Sequence, residues 1–306
     1  MWWSKRINRF ETVGQLFPLL FSKGKTEGRR VIPLHVNWSD ELRQLLLEAR
    51  IQLNGIKIPD WPHCLLPAMD VARSLNLRSG HQPTAHRVQV QVHFAFGTSE
   101  GLASDHELTR CWGFLHTTDT DIVNTHFRIP ADSNDREELE DSRVMRVAFA
   151  HVQQLANRFG PEAVVVEHIP ESECLAAFGC YPALLCRLVR ETGVGFLLDI
   201  SHARLSARQY GCSTEEYIDR LPLDRLKLIH TTGIGQDPDG SWVDHLPMDD
   251  NDYAVLSSVL QGARVGRYPL PSAVQHEYGG ISGFLRRYSS ADVLEREVTS
   301  LRGLLA

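Results

Sequence analysis

Apolar and polar positions along this chain switch repeatedly between two periods. Short β-branched or apolar runs recur at Val31–Trp38, Gly55–Pro59, Val88–Phe96, Ile122–Ile129, Ala163–Ile169, Gly195–Ser201, Leu226–Thr232 and Ala273–Tyr278. Segments with a helical period separate them. Over Leu139–Phe159, for example, Val144, Ala148, Val152, Leu155 and Phe159 share one face before Gly160 and Pro161 stop the helix. Start signals fit the same segmentation: Ser39 with Asp40 and Glu41 opens the first helix, and Pro182 stands early in the fifth, which Gly193 ends. Ser213 with Glu216 makes a capping box for the sixth helix, and Asp292 and Glu295 precede the last helical stretch.

Strand and helix alternating eight times predict parallel strands with crossover helices, and the closed solution with that count is a (β/α)8 TIM barrel. The competing architecture, a doubly wound open sheet, lacks its mark, because Val36-Asn37-Trp38-Ser39 follows the first strand in place of a G-x-G-x-x-G turn. No linker divides the chain, so we expect one barrel domain over residues 31–306. Residues 1–30 read as an N-terminal extension. Their apolar run, Leu16–Phe21, is broken by Pro18 and followed by no small-residue cleavage site. No later stretch approaches the roughly 20 apolar residues of a membrane span, so the expectation is a cytoplasmic protein with no membrane partner.

Composition adds limits. At 306 residues, 42% hydrophobic and 23% charged, with no repeat or low-complexity tract, the chain is an ordinary globular one. A net charge of −6 would repel nucleic acid rather than gather it. Six scattered cysteines (Cys64, Cys111, Cys174, Cys180, Cys186 and Cys212) form no C-x-x-C pair, which leaves them as reduced thiols.

Chemistry in such barrels sits at the C-terminal strand ends, and ligand-type residues accumulate there. The third predicted strand carries His93, the fourth His126 and the fifth Glu167. The sixth supplies Asp199 and His202, the seventh His230, the loop after it Asp244 and His245, and the eighth Glu277. Carboxylates in a water-poor mouth are costly unless a cation offsets them, and imidazole with carboxylate is a ligand set for Fe, Mn or Zn rather than for Mg or Ca. One catalytic ion needs three or four protein ligands, whereas nine candidates stand here, so two or three ions are implied. His168 and His276 adjoin candidate ligands in strand sequence and should point to the opposite face. His35, His63, His81, His86, His106, His116 and His151 have no such placement. Asn37, Trp38, Trp61 and Arg204 stand near strand ends as candidates to line a substrate pocket, and Gly233, Gly279 and Gly280 could let backbone approach a ligand.

Five motifs in order, Val-Glu-His-Ile-Pro, Leu-Leu-Asp-Ile-Ser-His-Ala-Arg, Ile-His-Thr-Thr-Gly-Ile, Val-Asp-His-Leu-Pro-Met and His-Glu-Tyr-Gly-Gly, make the chain resemble the multinuclear non-heme iron-dependent oxidative enzymes, relatives of the methanobactin-biosynthesis oxidase. The resemblance implies a xylose-isomerase-like barrel that holds two or three iron ions, activates O₂ and rearranges a residue, often cysteine, of a ribosomally made peptide. It implies His93, His126, Glu167, Asp199, His202, His230, Asp244 and Glu277 as ligands, with Glu167, Asp199, His230 and Glu277 carrying catalysis, and a leader-binding partner protein. The chain departs from many members in three places: His168 and His202 stand where Asn is common, and Asp244-His245 replaces a D-x-H spacing. Two other enzymatic readings compete. A sugar isomerase or epimerase needs one Mn-type ion on Glu167, Asp199, His230 and Glu277, and an endonuclease-IV-like zinc phosphoesterase must bind a polyanion against the acidic balance. A metal-binding barrel acting as a partner subunit is the non-enzymatic alternative.

Overall fold

The computed structural model describes residues 31–78, 87–128, 143–170, 182–281 and 283–306, all within one compact unit, Val31–Ala306. The N-terminal extension, His81, His86, Cys174, Cys180 and the expected helix start at 139–142 lie outside the described residues.

Eight strands make one parallel sheet. They are β1 (Leu34–Asn37), β2 (Gly55–Pro59), β3 (Gln89–His93), β4 (Val123–Phe127), β5 (Val164–His168), β6 (Gly195–Asp199), β7 (Leu226–Thr231) and, after a hairpin of β8 (Gly233–Gln236) and β9 (Trp242–Leu246), β10 (Ala273–His276). Their lateral order is β3-β2-β1-β10-β7-β6-β5-β4. The crossovers are α1 (Asp40–Leu47), α2 (Pro62–Arg78), α3 (Asp105–Thr117), α4 (Arg143–Phe159), α5 (Pro182–Thr192), α6 (Ile200–Tyr210) with α7 (Thr214–Ile218), and α8 (Asp250–Arg264). A short α9 (Gly283–Arg286) and α10 (Ala291–Leu305) end the chain.

The two outer strands, β3 and β4, share no ladder. Side chains and a single bridge join them instead: the Asn124 amide accepts from Phe94 N at 2.7 Å and donates to Phe94 O at 2.9 Å. Thr120 Oγ1 accepts from Val92 N at 2.8 Å, and His126 N donates to Phe96 O at 2.8 Å next to an isolated Gly97–His126 parallel bridge. An asparagine on a strand can do this because its amide imitates a peptide group, with one acceptor and a donor pair.

Alternation along each strand sends every second side chain to the helices and the rest to the barrel axis. Ile56, Ile58, Val164, Val166, Phe196 and Leu198 pack outward into the main hydrophobic core, while Val165, Leu197, Leu228 and Ala273 form a small separate cluster inside the barrel. Burial of each large aliphatic side chain contributes roughly 1.5–3 kcal/mol, so the layer between strands and helices supplies most of the driving force. Polar side chains share the axis with that cluster. His35, Gln91 and Gln275 line a cavity of about 100 Å³ near the barrel floor.

The structure corrects two expectations of detail. The helix after β6 begins at once at Ile200 with Asp199 as its N-cap, and the Ser213–Glu216 capping box opens the short α7. The segment after β7 is a β-hairpin rather than a loop, with Asp244 and His245 on β9. Gly233 is required by that hairpin, since a Cβ there would stand 1.9 Å from Pro247 O. Among the described residues no helix is long and apolar enough to cross a membrane, and Cys64, Cys111, Cys186 and Cys212 are free thiols.

Candidate metal centre

At their C-terminal ends the strands deliver polar side chains to one level of the axis. Pairing sets His126 beside Glu167 on β4 and β5, and Asp199 beside His230 on β6 and β7. Three overlapping trios result, each with donor atoms within 4.8 Å of one another: His93–Glu167–His230, Glu167–Asp199–His202 and Asp199–His230–Glu277. His126 Nε2 adjoins the first, 3.5 Å from Glu167 Oε2 and 3.1 Å from His93 Nε2. Asp244 Oδ2 adjoins the second, 3.2 Å from His202 Nε2. His245 stands aside at the rim: its Nδ1 lies 2.5 Å from Glu277 O, and its Nε2 is 3.8 Å from Asp244 Oδ1.

Neighbouring groups aim these donors. Asp199 divides its oxygens, Oδ1 accepting from His202 N at 2.9 Å to cap α6 while Oδ2 turns to the trios. His230 pairs its Nε2 with Gln275 Oε1 at 2.8 Å, and His202 pairs its Nδ1 with His168 O at 2.8 Å. A ligating imidazole needs such a partner on its other nitrogen to fix the tautomer and ring orientation. His168 and His276 do face away from the axis. His168 packs near Phe196 and Tyr217, and His276 lies 3.0 Å from Glu297 Oε2.

Electrostatics suit a cation. Burial holds His93 well below the usual imidazole range and lowers His126 and His230, with the Lys57 charge adding to the shift at His93 and His230. Burial alone would raise the Glu167 carboxyl, but His230, His126 and His93 outweigh it and keep it ionised. Asp244 likewise falls to about 2 against its burial, through His245 and His202. His202 goes the other way: burial opposes its charge, yet Asp199, Asp244 and Glu167 hold it well above the usual range. Glu167 Oε2, Asp199 Oδ2 and His230 Nδ1 are buried with no hydrogen-bond partner. Leaving such atoms unsatisfied costs several kcal/mol, and divalent ions held by these donors remove that cost. The donor set therefore fits metal.

One residue of the layer escaped the sequence analysis. Lys57, on β2 between the outward Ile56 and Ile58, turns its side chain to the axis and forms a buried ion pair with Glu277 Oε1. Burial lowers its ammonium to about 8, opposed by Glu167, Asp199 and Asp244. A lysine inside an apolar strand was the available signal. Above the layer a mouth cavity of about 260 Å³ is lined on its apolar side by Trp38, Trp61, Ile169 and Leu285 and on its polar side by Arg128 and His245. Asn37 also reaches it, whereas Arg204 does not line it and pairs instead with Asp249 and Asp252.

Fold and site together define a TIM barrel whose C-terminal mouth gathers a donor set able to hold metal ions. The chain belongs to the family of RiPP precursor modification enzymes MbnB/TglH/ChrH, enzymes that act on ribosomally made precursor peptides, and the family's profile matches residues 88–264. Curated relatives are named only as UPF0276 proteins. That of Caulobacter sp. (strain K31) is 31% identical over 97 residues, covering 30% of this chain and 34% of the relative, and that of Paraburkholderia phytofirmans is 32% identical over 93 residues, 29% of each. The chain thus matches about a third of these relatives' length. Among solved structures, a D-psicose 3-epimerase aligns with a TM-score of 0.52 at 11% identity over 90% of this chain and 97% of that one. The probable 3-DHS dehydratase AsbF from Bacillus anthracis aligns with a TM-score of 0.52 at 12% identity over 88% and 98%. At such identity these two share the fold alone.

Proposed function

We propose that this protein is a multinuclear non-heme iron-dependent oxidase that uses O₂ to modify a residue, cysteine in our reading, of a ribosomally made peptide. The observation that carries the proposal is the overlap of three donor trios through Glu167, Asp199 and His230. A sugar isomerase or epimerase on the same barrel would need a single ion and would leave His93, His126 and Asp244 without a role, although all three stand within 3.7 Å of another donor. Imidazole mixed with carboxylate favours two or three iron ions, with manganese or zinc as the alternatives.

When bound, the ions supply O₂ activation and Lewis-acid binding of a thiolate or carboxylate. The chain's own groups do the rest. Glu167, Asp199, His230 and Glu277, with His93, His126, His202 and Asp244, hold the centre, and His245 braces Glu277 from the rim. Trp38, Trp61 and Ile169 give the peptide an apolar wall and exclude water, while Arg128 takes polar atoms of its backbone or side chains. The mouth cavity admits one or two residues, so recognition of the remaining peptide falls to surfaces outside it, which supports a leader-binding partner protein. No membrane or nucleic acid enters this scheme, and a cytoplasmic setting suits it.

Metal analysis with Mössbauer spectroscopy of anaerobically purified protein tests the proposal, followed by aerobic incubation with cysteine-containing peptides read by mass spectrometry. Two or three coupled irons per chain and an O₂-dependent mass change support it. A single manganese, or zinc alone after iron-replete expression, sinks it in favour of an isomerase or hydrolase.

A further inference from the structure

Barrels of this kind ordinarily fill their axis with layers of bulky branched side chains. The level just below the donor layer departs from that rule on one side. Val165, Leu197 and Leu228 keep the β5–β7 side apolar. The opposite side carries His35 on β1, Gln91 on β3, Asn124 on β4 and Gln275 on β10, while β2 contributes Gly55 and hence no side chain. A Cβ on Gly55 would stand 2.7 Å from His35 Cδ2, so the glycine is what lets the imidazole lie across β2. The cavity of about 100 Å³ that results has exposed Gln89, Asp121 and Ser272 at its rim and extends to His93 at the end of β3.

Polar groups face this space without a partner in the protein. His35 is 5% exposed, yet neither ring nitrogen has a hydrogen-bond partner among the described residues. Gln275 Oε1 lies 2.8 Å from His230 Nε2, and Asn124 Nδ2 lies 3.1 Å from His93 Nε2, so two amides touch both the cavity and the imidazoles above it. Gln91 Nε2 donates to Asp119 O at 2.7 Å, which fixes that side chain against the wall. A buried polar group left unpaired costs about 1–3 kcal/mol. A polar space of this size has room for about three waters at roughly 30 Å³ each, and each water needs about two to four polar partners.

We propose that the barrel floor is a water-binding site: a cluster of about three waters, anchored on both nitrogens of His35 and on the Gln91 and Gln275 amides, links solvent at the floor to the underside of the donor layer. A neutral imidazole suits this place because one nitrogen donates and the other accepts, so the ring joins a chain of waters without carrying charge. The cluster gives the Gln275 amide nitrogen its partner and so keeps Oε1 turned to His230. It also leaves the layer a solvent entrance when the mouth is filled. The site does not depend on the reaction proposed above.

Oxygen-17 magnetic relaxation dispersion of the full chain, kept metal-free with chelator, counts long-lived internal waters and tests this. His35→Leu/Gln91→Leu replaces two anchors by apolar groups, and because apolar cavities of this size stay dry, it should lose about three of the waters that wild type holds. Gly55→Ala keeps every anchor but drives the ring into the cavity and should displace about one water. Ser272→Trp, at the exposed rim and so spared the risk of misfolding that core variants carry, should keep the count and slow exchange several-fold. A count unchanged in the double variant or in Gly55→Ala would overturn the proposal, as would an exchange rate untouched by Ser272→Trp.

Discussion

Glu167 is the side chain on which the layer depends most, since its two oxygens face different trios. Glu167→Ala should empty both positions it shares and lower turnover by at least about 100-fold, while His245→Ala, whose ring braces the Glu277 backbone, should keep its metal; metal content and single-turnover rates of the two variants check this. His35 gives a prediction independent of the centre. Its ring is buried in the barrel axis with neither nitrogen hydrogen-bonded, and burial lowers it to about 4. The folded ring stays neutral where the unfolded one is protonated, so stability is full above pH 6.5 and falls as pH drops towards 4. The loss reaches about 3 kcal/mol. Replacing His35 by Gln should flatten the pH dependence of the urea midpoint over that window by about one proton. At this scale the sequence revealed the donors through their place at strand ends. It did not reveal Lys57, because its ion-pair partner Glu277, just past the end of β10, stands 220 positions away in the chain.

At the scale of elements, all eight barrel strands were legible because apolar runs of five to nine residues between helical periods leave few alternatives. Their ends were not, since the final one or two residues of several runs belong to caps and turns. The sixth helix shows why. Ser213 and Glu216 carry an unmistakable local start signal, yet Asp199 starts a helix earlier with a residue that also looked like a metal ligand, and it proves to cap with one oxygen only. These two duties can be separated. Asp199→Asn keeps a good capping side chain and should retain the stability of metal-free α6 while losing metal; Asp199→Ala should cost about 1 kcal/mol more in urea denaturation of the chelated protein. The β8–β9 hairpin escaped notice because Gly233-Ile-Gly-Gln carries too little β-branched character to read as a strand. It nonetheless fixes Asp244 over the mouth.

For the whole molecule, metal and fold are linked by mass action, because the donors converge only when all the strands are paired. Each ion at 100 times its dissociation constant adds about 2.7 kcal/mol, so chelation should lower the melting temperature by several degrees in differential scanning calorimetry, and iron should restore it. The linkage has a location. The barrel wall between β3 and β4 is held by the Asn124 amide, the Thr120 hydroxyl and a single bridge where its neighbours have ladders, and those two strands carry His93 and His126. An ion drawn to both imidazoles and to Glu167 works there as a rivet. It fastens shut the one joint that backbone alone leaves loosely sewn.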